Sequence, residues 1–382
     1  MQVAFTLRDE WKKELVKRTS DSHFTEIDVV QWLSKTALDM IGLAGFGYKF
    51  NSLQDSFNEL ACAFNHVSRQ ISLIKGMGML NCFFPALRHL PIGSNVANNH
   101  NKATMRRVGR QMVTEKKMEA QKIGQGGSDL GKDLLSLMVG ANLMQNAADR
   151  LDDETLLAEI STFLLAGHET TATALTWGLL ALAKNPAIQS KLRDEIPASP
   201  DDSPSMEELN AMPFLNNVVK EILRLRPPVS NVRRTASSDT VIPLAEPIMD
   251  KYGKQVNEIF VRRGDNLMIH IYASNTRTDT WGSDALEFRP DRFDKLPEAV
   301  SDIPSVFNNL STFISGPKQC IVWRMAVLEM KAVIFTLIRI FEISIDPKLE
   351  ITSRFSIAIK PQVKGQEDKG TQMPLRVSLY KV

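Results

Sequence analysis

The chain has 382 residues, 43% of them hydrophobic, and its 46 basic side chains nearly balance 44 acidic ones to a net charge of +2. A chain this long and this apolar can bury a large core, which excludes wholesale disorder. Near-neutral charge without a long single-sign run argues against nucleic acid as a partner and against a polybasic membrane patch. Three cysteines, Cys62, Cys82 and Cys320, form an odd and sparse set that argues against a disulfide framework and fits a reducing compartment.

Residues 1–18 have the pattern of an amphipathic helix and not of a signal peptide or membrane anchor. Helices are predicted over 6–19 and 26–42, with Asp28 as a cap for the second and Gly42, Gly45 and Gly47 ending it. A charged helix over 103–122 stops at the Gly/Ser-rich stretch 124–128, read as a surface loop. One long helix runs from Asp152 to Asn185-Pro186, and another continues to about Glu195. A loop over 197–205 precedes a helix from Glu207 to Leu225, which Pro227-Pro228 stops. Residues 229–272 switch to short strand-like runs, such as Thr240 to Ile242 and Leu267 to Tyr272. The Pro/Asp-rich segment 288–304 is irregular, and a last helix follows Cys320 to about Ile340 before strand-like pieces close the chain. The expected fold class is mainly α with a minor β portion. No run of eighteen uninterrupted apolar residues occurs; the nearest, Ile160 to Ala183, is broken by His168, Glu169 and several threonines.

Cys320 lies where the turn Phe313-Ile-Ser-Gly316-Pro-Lys318-Gln gives way to a helix. Free helix N–H groups and the nearby Lys318 are expected to lower its pKa, although a lone cysteine is most often simply buried. Within the long helix, Ala166-Gly167-His168-Glu169-Thr170-Thr171 places Gly and two threonines where a helix interior suits them poorly. Such a local rule broken mid-helix marks function or a packing irregularity. On the functional side, Gly167 leaves space over a flat cofactor, a Thr hydroxyl can bond an upstream carbonyl, and Glu169 beside Thr170 supplies an acid and a hydroxyl for proton relay. A zinc-protease reading of His168-Glu169 fails, because Ala172 stands where the second histidine is required. Glu221-Ile-Leu-Arg224 sets opposite charges three apart on one helix face, and Phe288-Arg-Pro-Asp-Arg292-Phe follows later in the chain.

These segments resemble the cytochromes P-450, and they occur in that family's order. Phe313, Gly316, Cys320 and Ala326 stand at the spacing of its haem-binding signature, Phe-x-x-Gly-x-Arg-x-Cys-x-Gly followed by a helix. Lys318 replaces the signature's Arg, keeping the charge without the bidentate fork, and Met325 replaces a common Phe. Val322 stands where the family has Gly, adding volume where the helix would approach the porphyrin; overpacking of this kind costs about 1–3 kcal/mol. Ala166 to Thr171 matches the family's oxygen-side motif without departure, and residues 27–53 look like the corresponding region of fungal microsomal members.

The resemblance implies haem b as cofactor, with Cys320 as ligand to the iron and Phe313, Gly316, Lys318, Ala166 and Gly167 around it. It implies Arg234, or its neighbour Arg233, as a propionate contact, and Glu169 with Thr170 as an acid–alcohol pair. Glu221, Arg224 and Arg292 match a buried structural charge network. The implied activity is a monooxygenase that inserts one oxygen atom from O2 into an apolar organic substrate. Electrons would come from an NADPH-dependent reductase, since no Gly-x-Gly-x-x-Gly nucleotide unit is present. Family resemblance points to the endoplasmic-reticulum membrane, reached by surface association because the chain carries no transmembrane anchor. One domain over residues 1–382 is expected, incomplete at its N-terminus, where the anchor, first strands, substrate loop and a Trp-x-x-x-Arg clamp have no counterpart. The rivals are a haem-thiolate isomerase or dehydratase, disfavoured by the intact Glu169-Thr170, and a haem-poor, non-catalytic remnant, for which Val322 and the missing part speak.

Overall fold

A computed structural model of the chain describes residues 1–18, 23–55, 59, 93–123, 131, 133–144, 150–197, 203–354 and 358–380. Cys62, Cys82, the stretch 124–128 and residues 198–202 of the 197–205 loop lie outside them. In chain order the helices are α1 (Gln2–Arg18), α2 (Val29–Phe46), α3 (Gly93–Ile123), α4 (Leu134–Met144), α5 (Asp153–Lys184) and α6 (Pro186–Glu195). They continue with α7 (Met206–Asn210), α8 (Pro213–Leu225), α9 (Ile271–Thr276), α10 (Thr278–Trp281) and α11 (Trp323–Ile340). The strands are β1 (Thr25–Asp28), β2 (Val232–Thr235), β3 (Thr240–Met249), β4 (Gln255–Val261) and β5 (Asn266–Ile269). After α11 come β6 (Phe341–Ser344), β7 (Ile351–Arg354), β8 (Lys360–Val363) and β9 (Pro374–Leu379). The fold is mainly α with small antiparallel sheets: β1-β9-β6, β2-β5, β3-β4 and β7-β8.

α5 is the spine. Asp152 caps it by accepting from the Thr155 N–H at 2.7 Å, Asp153 and Glu154 complement the positive end of its dipole, and Asn185-Pro186 stops it. Its first half, from Leu156 to Leu164, packs with α2, α3 and α4 in a cluster that includes Ile41, Met112 and Val139. Its second half, from Ala172 to Ala183, enters the main core with α8 and α11, beside Ile222, Phe335 and Ile338. The segment 166–171 therefore sits where the helix passes from one apolar cluster to the other. α1 joins the main core through Ala4, Leu7, Trp11 and Leu15, which recur at helical spacing; Trp11 meets Phe341 with ring centroids 5.7 Å apart.

The structure corrects several boundaries, and the helix expected over Glu207–Leu225 is two, broken before Pro213. Residues 26–28, expected to begin a helix, form part of β1, because Ile27 alternates inward with Thr25 and β9 supplies the ladder. Asp28 then caps α2 from the strand's end, accepting from the Val30 N–H. α2 does not stop at Gly42 but continues to a left-handed Gly47 (φ 63°); a Cβ at Gly42 would run into the Phe50 ring, so this glycine lets the following chain fold back against the helix. The strand expected over Leu267–Tyr272 ends at Ile269, where the His270 ring accepts from the Ala273 N–H and starts α9. The hairpin β3–β4 projects Val241, Ile242, Ile259 and Phe260 into solvent.

Candidate active site

The turn before α11 is shaped by its backbone. The Ile314 N–H donates to the Ser311 carbonyl at 3.0 Å, Gln319 N–H to Gly316 at 3.0 Å, and Cys320 N–H to Phe313 at 2.9 Å. Gly316 adopts φ 73°, which a glycine takes without cost, while Ile314 is held at φ 58°, a position a β-branched residue rarely tolerates. Phe313 is braced by Phe307 and Trp323, with centroids 5.7 and 6.4 Å away. The loop thereby presents Phe313, Ile314, Lys318 and Cys320 to one cavity, which Ala326 and Met330 of α11 also line. Gly316 does not line it; its part is the turn.

Cys320 is a free, partly buried thiol. The sequence led us to expect a lowered pKa, and the structure reverses this: burial pushes the thiol above its usual value, outweighing the Val322 N–H that bonds the sulfur. The reason is geometric. α11 begins only at Trp323, and the N–H that bonds the sulfur is that of Val322, just before the helix. Val322 sits at φ −106°, which a β-branched residue adopts without strain, and it is absent from the cavity wall.

The opposite wall is α5. Thr170, Thr171 and Ala174 line the same cavity, facing the cysteine turn, and α8 and its following turn close the side with Leu223, Pro228, Val229 and Val232. The Thr170 hydroxyl donates to the Ala166 carbonyl at 2.8 Å, so its oxygen keeps acceptor capacity toward the cavity. Gly167, expected to leave space over a flat cofactor, lies against α2. A Cβ there would lie 3.0 Å from Ile41 of α2, so the glycine permits two helices to approach, and neither it nor Ala166 lines the cavity. Glu169 is likewise turned out of the cavity lining; its side chain is 5% exposed and its Oε1 lies 2.8 Å from the Lys360 ammonium. His168 is buried beside it and pushed down to about 4, chiefly by desolvation, so it is neutral at pH 7.

Glu221, Arg224 and Arg292 come together behind this wall, all at 2% exposure or less. Glu221 takes Arg224 Nε at 2.7 Å and Nη2 at 2.9 Å, Arg292 Nε at 2.9 Å, and the Arg289 backbone N–H at 2.9 Å. Arg224 also donates to the carbonyls of Asn275 and Ala285, and Arg292 to Asp284, so every charge has partners. Asn275 carries the network into the cysteine turn, donating to Thr312 at 2.8 Å and accepting from the Ser311 N–H. Arg234 lies two residues along β2 from Val232, on the strand face that meets the cavity, whereas Arg233 points to solvent. The strand period thus favours Arg234 over its neighbour.

Sequence reasoning missed Lys360, Asn275 and Glu329. Glu329 of α11 is buried against the Thr171 hydroxyl, and burial pushes its carboxyl up to about 8. Its place one turn beyond the Cys320 motif was the available signal; Lys360 offered none.

The residues present fit a haem: a single soft sulfur donor on one wall, flat apolar sides from Phe313, Ile271 and Val232, and Lys318 and Arg234 as cations for propionates. A sequence profile described as Cytochrome P450 matches residues 4–363. The chain is 41% identical to cytochrome P450 monooxygenase 128 of Postia placenta, covering 98% of this chain and 70% of that one. It is 40% identical to cytochrome P450 monooxygenase 205 of the same fungus, over 97% of this chain and 69% of that one. Cytochrome P450 monooxygenase claU of Ampulloclitocybe clavipes is 33% identical over 92% of this chain and 66% of its own length. This chain belongs to the cytochrome P450 family, whose members are haem-dependent monooxygenases.

Proposed function

We propose that Cys320 is the thiolate ligand to the haem iron, that Thr170 and Glu169 handle protons on the opposite side, and that the substrate is an apolar organic molecule. One observation carries this reading: Cys320 and Thr170, far apart in sequence, line a single cavity from facing walls. When bound, haem supplies activation of dioxygen, one atom of which enters the substrate while the other leaves as water.

This chain's residues supply the rest. The raised thiol pKa is no obstacle, because coordination displaces the proton and holds the sulfur as thiolate. Lys318, which lines the cavity, and Arg234, on the Val232 face of β2, would hold the propionates. Leu223, Val229, Val232, Ile271 and Met330 exclude water and favour an apolar guest. The Thr170 hydroxyl would accept a proton at its oxygen, with Glu169 as the source, and release its own inward as its bond to the Ala166 carbonyl breaks. Electrons would come from an NADPH-dependent reductase. Family resemblance supports association with the endoplasmic-reticulum membrane, while among the described residues no helix is long and apolar enough to cross a membrane.

The test is the carbon-monoxide difference spectrum of the reduced, purified protein. A thiolate-type, red-shifted Soret band is expected; a folded protein that takes up haem but lacks that band would overturn the assignment of Cys320.

A further inference from the structure

Ile314 lines the cavity at φ 58°, a backbone conformation that suits glycine. A β-branched residue stays there only where its surroundings over-determine it. What holds it lies just upstream, in the single 3-10 turn Ser311–Phe313. The Ile314 N–H donates to the Ser311 carbonyl, and further along the chain the Cys320 N–H donates to the Phe313 carbonyl. The turn is therefore a platform from which both the strained residue and the cysteine hang. Its own fixing comes from α9. Asn275, fully buried, donates from Nδ2 to the Thr312 hydroxyl at 2.8 Å and accepts the Ser311 N–H on Oδ1 at 2.9 Å. The Ser274 and Ser311 hydroxyls meet at 2.7 Å, and Thr312 passes its proton on to the Leu223 carbonyl. Asn275 is fixed from behind in turn, its carbonyl accepting from Arg224 Nη1 at 2.9 Å.

We propose that Asn275 is a positioning residue for Cys320: its amide holds the 311–313 turn against the pull of Ile314 toward an ordinary backbone conformation, and so fixes the direction from which the sulfur meets the cavity. This rests on the reading of Cys320 as the haem ligand. With the amide gone, the Ser311 N–H and the Thr312 hydroxyl each lose a partner, and Ile314 is free to relax to negative φ. The Phe313 carbonyl, which holds the Cys320 N–H, turns away with it. An amide suits the task, because it donates and accepts at once and carries no charge for burial to penalise.

A role limited to stability would lower the melting temperature and leave the folded turn as it is. A positioning role changes Cys320 in protein that is still folded. It also makes a second demand: the effect must be removable at the source of the strain, by giving residue 314 a side chain that does not object to φ 58°.

Labelling of the full chain with a dithiobis-nitrobenzoate, mapped to Cys320 by mass spectrometry, reads the turn without haem. Asn275→Ala should raise the labelling rate at Cys320 about tenfold, at a temperature well below its unfolding. Once haem is loaded, part of the thiolate-type carbon-monoxide band should give way to an unshifted one. Adding Ile314→Gly to Asn275→Ala should bring both readings back toward the parent, because glycine takes that φ without strain. Should Asn275→Ala not fold, Thr312→Val removes one of the contacts and should give the same changes in smaller measure. A folded variant that labels as the parent does overturns the proposal, as does one that keeps the whole of a thiolate-type band the parent shows. Changes that persist after Ile314→Gly overturn it as well. If labelling behaves as expected but the parent itself shows no thiolate-type band, the haem-ligand reading falls while the hold of Asn275 on Cys320 stands.

Discussion

On α8, Glu221 is fully buried between Arg224, Arg292 and a backbone N–H, and the two arginines are themselves tied to carbonyls and to Asp284. On α5, Glu169 is almost as deeply buried, and its Oε1 lies 2.8 Å from a lysine whose head is partly in water. Both are acids in apolar surroundings with a basic companion. The difference is in the cation: a planar fork with several donors in the first case, a single ammonium in the second. An arginine lattice fixes a shape, because opening any contact leaves a buried charge unpaired. A lysine at a cavity's edge leaves its acid able to change state. Buried charge by itself therefore says little about role; the connectivity around it says more.

That contrast can be broken or sharpened by experiment. Cys320→Ala should abolish the thiolate-type carbon-monoxide spectrum entirely while leaving the fold, whose lattice lies behind the turn, intact; a surviving band would mean another ligand. Arg224→Met should cost about 3–5 kcal/mol in denaturant unfolding, because Glu221 is left partly uncompensated. Glu169→Gln should cost at most about 1–2 kcal/mol, since Lys360 can turn to solvent. Equal losses in the two would remove the distinction drawn above.

The two shifted neighbours of the pair give opposite pH dependences. His168 has a folded pKa of about 4, below its ordinary value of 6.5, so its contribution is present above 6.5 and lost as pH falls toward 4, on the order of 3 kcal/mol. Glu329, raised from 4.5 to about 8, contributes stability below 4.5 that is lost as pH rises through 8. Unfolding free energy measured against pH should thus lose its acid slope in His168→Gln and its alkaline slope in Glu329→Gln, each relative to the parent. Smaller still, Thr170→Ala should leave haem content and melting temperature near the parent while product per oxygen consumed falls several-fold. Unchanged coupling would take Thr170 out of the proton path.

Much of this is legible in the sequence. The long helix and its caps, the Gly/Pro turn before Cys320, and the Glu221–Arg224 spacing are local, written by hydrogen-bonding and steric preferences over a few residues. Family resemblance added Arg292, which joins them from a distant segment. The conflict at Gly167 was also visible, a glycine where a helix prefers none, but its meaning was not. It serves contact with Ile41 of α2, and helix faces are assigned by what packs on them.

The sequence by itself determined the family, the mainly helical class, and which cysteine, threonine and acidic residues form the motifs. Only the tertiary structure decided that residues 26–28 pair with β9, that burial raises the Cys320 thiol, and that Lys360 reaches Glu169. The reason is common to all three. Desolvation and ion pairing depend on which surfaces meet, and those surfaces belong to segments far apart along the chain, where no local spacing rule operates.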